Sequence, residues 1–285
     1  MKTTMQKYAN LRRAPLALAL LLGIGGDVLA QEVSADTTYL TYSGSAFDLD
    51  NEALMYTEVH YLALAGERVR ERLVLYRCPN GAAFARKRVQ DSPLPAVPQF
   101  ELEDRRLNYS EGLKIDADKV EVYVREPDET EVKREVLAKV PADLVADAGF
   151  DVLVRENWDS LVAGETVRFQ FLVPSRLDYL GFKVSMIDQA QIDGKAARTF
   201  RLALGGVLGL VVSGIDVSYD ATSRTILRFS GLSNVRDPEG ENYVVRIDFP
   251  PAKRQPVPGK EAMEAARAEE LVRSCSSPVD HTGAT

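Results

Sequence analysis

Residues Pro141 to Gly164 read PADLVADAGFDVLVRENWDSLVAG. Within them Phe150, Leu153, Val154, Trp158, Leu161 and Val162 recur at helical spacing, while Arg155, Glu156, Asn157 and Asp159 take the opposite face. Asp147 is placed to cap the N-terminus, and Gly164 stands where a C′ glycine would end the helix. Strand-like segments flank the stretch on both sides, so its apolar stripe must lie on a sheet. The pattern predicts a covering helix over about residues 141–164.

On its N-terminal side, Leu54 to Ala63, Arg68 to Arg77 and Ala83 to Val89 read as three strands, divided by Ala65-Gly66-Glu67 and Pro79-Asn80-Gly81. The second divider has the chemistry of a type I turn closed by a G1 bulge, which sets Tyr76 opposite Phe84. Alternation then sorts the faces. Met55, Thr57, Val59 and Tyr61 fall with Val69, Leu73 and Leu75 on a side read as the core. Glu58, His60, Arg70, Arg72, Arg86 and Arg88 fall on a side read as solvated. After the proline-rich break Ser92 to Pro98, Lys119 to Arg125 alternates cleanly and Glu131 to Ala138 is extended.

On the C-terminal side, Thr166 to Val173 alternates Val167, Phe169, Phe171 and Val173 against Arg168, Gln170 and Leu172. Leu180 to Asp188 and Ala197 to Leu204 form a hairpin about Asp193-Gly194. Gly205 to Gly214 is apolar throughout, as a buried helix or strand. Three more strands follow, ending at Tyr243 to Phe249. Pro250 to Gly259 reads as a linker and Lys260 to Arg273 as a C-terminal helix before a disordered tail. The count is on the order of ten to thirteen strands joined by hairpin-length turns, with no βαβ alternation. A long antiparallel sheet curls. The expected fold is mostly β (α+β): residues 31–252 form a curved antiparallel sheet or incomplete β-barrel with a helical lid, and residues 253–285 follow as linker, helix and tail.

The first thirty residues read as an export signal. Lys2, Lys7, Arg12 and Arg13 precede the short apolar run Leu16 to Ile24, and Val28-Leu29-Ala30 suits cleavage after Ala30. Nine apolar residues are too few to span a bilayer. The expected location is periplasmic or secreted. Removing four bases and one acid takes the formal charge from −7 to −10. So acidic a chain is a poor partner for nucleic acid. Cys78 and Cys275 could pair in an oxidising compartment or remain two unrelated thiols. There is no C-x-x-C.

Catalytic machinery is sparse. His60 and His281 are the only imidazoles, and nucleophile-elbow, zinc-protease and P-loop motifs are absent, so neither an enzyme nor a cofactor is expected. Glu58 and His60 point the same way and could share a metal, but no third ligand is evident, and ion pairing with Arg72 and Arg86 is the simpler reading. The arginines of that face could hold a phosphate or carboxylate, or form a solvated surface laced with acids. Pro174-Ser175-Arg176, at a strand end, could line a pocket mouth or be an ordinary loop.

The order of leader, antiparallel strands, lid helix, more strands and apolar Gly-rich stretch resembles the periplasmic half-barrel proteins typified by the outer-membrane lipoprotein carriers. It also resembles exported bacterial proteins of similar outline. Leu75 to Gly81, Tyr219-Asp220 and Gly231 to Asn234 look family-like. The resemblance implies an acyl chain or similar apolar ligand held between lid and sheet. Tyr61, Phe150, Trp158, Phe169, Phe171 and Arg176 are the candidate ligand-binding residues. The expected function is a monomeric, non-catalytic lipid-binding protein. The alternative is an envelope scaffolding module that docks a protein partner on its sheet edges or C-terminal helix.

Overall fold

Turns and alternation together determine how this chain pairs with itself. The protein is described from a computed structural model covering residues 37–117, 119–127, 129–205 and 214–275. The expected leader and its cleavage site, most of Gly205 to Gly214, and the tail with His281 lie outside the described residues.

The first meander runs through β1 (Thr37–Asp48), β2 (Leu54–Ala65), β3 (Arg68–Arg77), β4 (Ala83–Gln90), β5 (Gln99–Asp104), β6 (Tyr109–Asp116), β7 (Lys119–Arg125) and β8 (Lys133–Val136). The two-residue β9 (Leu144–Val145) follows. The second meander is β10 (Thr166–Val173), β11 (Asp178–Ile192), β12 (Lys195–Leu204), β13 (Ile215–Asp220), β14 (Ile226–Arg236) and β15 (Asn242–Asp248). Pairing of β1 with β15 welds the two into one sixteen-stranded sheet that runs from β8 to β9, with β16 (Gln255–Val257) added beside β1. All ladders are antiparallel except β9 with β10. The predicted class, a curved, barrel-like antiparallel sheet with few helices, is the observed one. The far ends of the sheet approach through side chains. The 3-10 turn Pro174–Arg176 touches β6 and β7, and Leu172, Leu177 and Tyr179 pack among Leu113, Val120 and Val122.

The lid is shorter than its sequence pattern. It comprises α1 (Gly149–Glu156) and α2 (Trp158–Val162), bent at Asn157, whose Nδ2 donates to the Leu153 carbonyl. Residues 141–148 are drawn out of the helix because Leu144 and Val145 pair with β10. Asp147 does not cap. It adopts φ 44° and spends its carboxylate on Lys87 instead, whereas Gly164, at φ 92°, ends the helix as read. The apolar stripe of Phe150, Val154, Trp158 and Leu161 lies on Phe169, Val184, Phe200 and Val217, inside the curl.

Gly149 lets the lid approach the first meander. A Cβ there would lie 1.9 Å from the Ala96 carbonyl oxygen, where the Ala146 N–H also docks. Gly149→Ala therefore displaces the helix start, and overpacking of this kind costs about 1–3 kcal/mol. A fall in the urea midpoint is expected; an unchanged midpoint would mean that the loop at Ala96 yields freely.

The expected linker contains a 3-10 turn, Pro251–Lys253, and β16; the helix beyond it is α3 (Glu261–Ala268). Met263 and Ala266 cover Ala63, Leu73, Leu75 and Ala83 on the outer side of the first meander. Arg77 grips Glu269 through two hydrogen bonds of 2.7 Å, and Arg267 pairs with Glu71. The bridge between Cys78 and Cys275, with Cα atoms 5.5 Å apart, fastens the segment to the β3–β4 hairpin.

Candidate functional site

The turn Cys78-Pro79-Asn80-Gly81 closes with the Gly81 N–H on the Cys78 carbonyl, and Gly81 sits at φ 92°. This is the bulged hairpin its residues specify. The bulge falls between Tyr76 and Arg77, so Tyr76 pairs with Ala85 while its ring still meets Phe84 at 6.4 Å.

The face assignment is inverted along β2 and the middle of β3, while Val69, beyond the bulge at Ala63 and Leu64, packs inward as read and Arg70 is solvated as read. Glu58 and His60 are only 7% and 6% exposed and point into the curl, whereas Tyr61, Leu73 and Leu75 face outward under α3. Both faces of these strands are covered, so alternation alone did not name the inner one. The arginines are also divided. Arg72 points inward, while Arg86 and Arg88 sit beside Leu75 and Leu73 on the outer side, and Arg70 pairs with Asp91.

Inside the curl lies a cavity of about 380 Å³, within the range of small-molecule sites. One wall is apolar: Leu202, Ile215, Val217, Ile226, Phe229 and Ile247 from the second meander, with Phe150 and Phe171. The other wall is polar and comes chiefly from the first meander, with Ser233, Asn234, Arg236 and Asn242 of the second at its end. Tyr42, His60, Val74, Lys87, Leu102, Glu111 and Val124 are successive cross-strand partners from β1 to β7. They form one continuous row. Glu58, Tyr76 and Tyr109 belong to the next row on the same face.

These polar groups are tied together. His60 Nε2 lies 2.9 Å from Glu58 Oε2, and the Tyr109 hydroxyl donates to Glu111 at 2.7 Å. Lys87 Nζ donates to Asp147 at 2.7 Å. Asp151 of α1 accepts from Tyr219 at 2.8 Å and from Arg72 at 3.3 Å. The Tyr42 ring stacks on His60 with centroids 4.3 Å apart. Burial lowers the His60 pKa, and the bond to Glu58 only partly opposes it, so the ring is neutral at pH 7. Burial tends to raise Asp151, but the Arg72 and Arg155 charges and its two donors outweigh it, leaving the pKa lowered. Among the described residues no three His, Cys, Asp or Glu side chains converge as a metal requires.

Burial raises Glu111 to about 7; Tyr109 opposes this, Asp147 adds to it, and Lys87 and Arg236 offset part of it. The unfolded carboxyl ionises at its ordinary value, well below the folded one. The stability this group contributes is therefore complete below pH ~4.5 and is lost as pH rises through about 7. Glu111→Gln removes that loss and should stabilise the protein by about 3 kcal/mol at pH 8. The gain should shrink toward nothing near pH 4.5. Guanidinium unfolding of both proteins across this range checks it, and parallel curves would refute a raised Glu111.

Of the residues expected to bind, Phe150 and Phe171 line the cavity. Tyr61 is on the outer face. Trp158 is buried on the sheet-facing side of the lid, its ring 5.2 Å from Phe200, and Phe169 sits between Phe150 and Phe182. Arg176 is exposed, although its neighbours Pro174 and Ser175 do reach the cavity. The polar wall was missed. Its one local signal is the i, i+2 pairing of Glu58 with His60 and of Tyr109 with Glu111, which puts each pair on one face.

No family model matches the chain, and no curated protein matches its sequence. Among solved structures it is similar to the crystal structure of a beta-barrel-like protein of domain of unknown function DUF1849 from Brucella abortus. That similarity has a TM-score of 0.46 at 7% identity and covers 77% of this chain and 97% of the other.

Proposed function

We propose that the protein is an exported, non-catalytic protein of the cell envelope that shelters an amphipathic, lipid-like ligand between its lid and its curved sheet. The observation that carries this reading is the two-sided cavity, with an apolar patch at Phe150, Phe171, Ile226 and Phe229 and a hydrogen-bonding side built from the first meander, to which Ser233, Asn234, Arg236 and Asn242 of the second add. An apolar chain gains by leaving water for the first wall, and a polar end finds partners on the second. The leader-like N-terminus agrees with export, and a ligand under the lid is what the resemblance of the sequence to the lipoprotein carriers implies. Among the described residues His60 meets no serine or cysteine, since Nε2 is on Glu58 and Nδ1 has no partner.

Uptake of N-phenyl-1-naphthylamine, an apolar dye that brightens when it leaves water, tests the reading. Saturable one-to-one uptake is expected, and Ile226→Trp, which fills the apolar wall, should abolish it while leaving the thermal midpoint near that of the parent. No uptake, or uptake indifferent to Ile226→Trp, would overturn the assignment.

A further inference from the structure

The charges lining the cavity do not balance. Four carboxyl groups, Glu58, Glu111, Asp147 and Asp151, face three cations, Arg72, Lys87 and Arg236. Each cation is already in ion-pair contact: Arg72 with Asp151, Lys87 with Asp147, and Arg236 with Glu126 at 3.1 Å. Glu58 and Glu111 are held only by neutral partners, His60 and Tyr109. The uncommitted charge of this wall is therefore negative.

The open hydrogen-bonding positions agree. With Glu58 accepting, His60 Nε2 carries the proton, which leaves Nδ1 a bare acceptor, and Nδ1 is buried with no partner. Asp147, whose side chain is 9% exposed, likewise leaves Oδ2 buried and unpartnered. Arg72 Nε and Arg236 Nε are buried donors without partners, and these take water or a ligand hydroxyl, because both guanidinium charges are already matched. A free carboxylate or phosphate entering between His60 and Glu111 would meet two spare carboxyl groups and, among the residues lining the cavity, only cations already in ion pairs, an arrangement that buried charge does not tolerate. Arg254 is committed to the Tyr42 ring, 4.2 Å from its centroid, and does not line the cavity.

Resting on the reading of the cavity as a binding site, we propose that the ligand's polar end is a cationic amine. It seats on the polar row between His60 and Glu111, with the apolar tail against Phe171 and Phe229. An ammonium has three donors and no acceptor, the complement of His60 Nδ1, Asp147 Oδ2 and an uncommitted carboxylate. Among the described residues no trio of side chains is arranged for a metal, and an organic cation is the occupant that fits.

The test ranks head groups on one chain length. Binding of dodecylamine, dodecanol and dodecanoate to the unmodified protein at pH 7.5 is measured by calorimetry below their micellar concentrations. Dodecylamine should bind at least about ten-fold more tightly than either other compound, and n-butylamine far more weakly, because it lacks the tail. Glu58→Gln combined with Glu111→Gln should shrink the amine preference to roughly two- or three-fold. If the pair does not fold by circular dichroism, Glu58→Gln alone serves. Dodecanoate or dodecanol binding as tightly as the amine would overturn the head-group assignment while leaving the cavity reading intact. Butylamine matching dodecylamine would overturn the amphiphile. No binding by any of the four would overturn the cavity reading and this inference with it.

Discussion

Lys87→Met should destabilise the folded protein by about 3–5 kcal/mol, the largest single-site effect expected of this chain. Lys87 and Asp147 are 14% and 9% exposed and 2.7 Å apart, and Asp147 has no other hydrogen-bonding partner for its second oxygen. Burial tends to lower the Lys87 pKa, but Asp147, Tyr76 and Glu58 outweigh it and hold the ammonium well above its ordinary value. A folded pKa above the unfolded one means the contribution is complete below pH ~10.5 and is lost only as pH rises through the higher folded value. Removing the cation leaves Asp147 unpaired in a cavity with surplus carboxyl groups, which is why the loss exceeds that of an exposed pair. The pair also fixes the lid, because Asp147 immediately precedes α1.

The companion variant is Asp147→Asn. Asparagine tolerates the left-handed φ of 44° at this position, so it removes charge without backbone strain. Lys87→Met combined with Asp147→Asn should cost less than the sum of the two single changes, with a coupling of at least about 1 kcal/mol in a double-mutant cycle. Equal additivity in denaturant unfolding would show that the two groups are independently solvated and that the lid is held by its apolar stripe alone.

Breaking the Cys78–Cys275 bridge should cost about 2–5 kcal/mol. The bridge spans 197 residues of chain, so it removes much freedom from the unfolded state, for which the loop-entropy relation gives roughly 5 kcal/mol as an upper figure. Loss of the bridge also frees the segment that lays Met263, Ala266 and Leu271 over Leu73 and Leu75. The salt bridges from Glu269 to Arg77 and from Arg267 to Glu71 are partly exposed and cannot replace it. Unfolding of the parent in reductant, and of the Cys78→Ser, Cys275→Ser double variant without it, should give the same midpoint, lowered relative to the oxidised parent. Increased binding of an apolar dye is expected before global unfolding, as α3 lifts from the sheet. A midpoint indifferent to reductant would show that the outer cluster is held by α3 packing alone.

Local sequence carries much of this fold. Val120, Val122 and Val124 against polar neighbours announce a strand, Pro79-Asn80-Gly81 announces a bulged hairpin, and the spacing from Phe150 to Leu161 announces a helix that must cover a sheet. Each rests on contacts within a few residues, so the chain states it directly. The curl follows from many antiparallel strands with short turns.

What local sequence could not state is which face of the first meander looks inward. Leu73 and Leu75 are apolar because α3, nearly two hundred residues later, lies on them; Glu58, His60 and Lys87 are polar although buried, because Asp147 and one another satisfy them. Alternation reports that two faces differ; the coverings that make both of them interior are long-range contacts. Only the closed tertiary structure, in which β1 meets β15 and the bridge pins α3 outside, turns a row of seemingly solvated residues into the polar wall of a cavity.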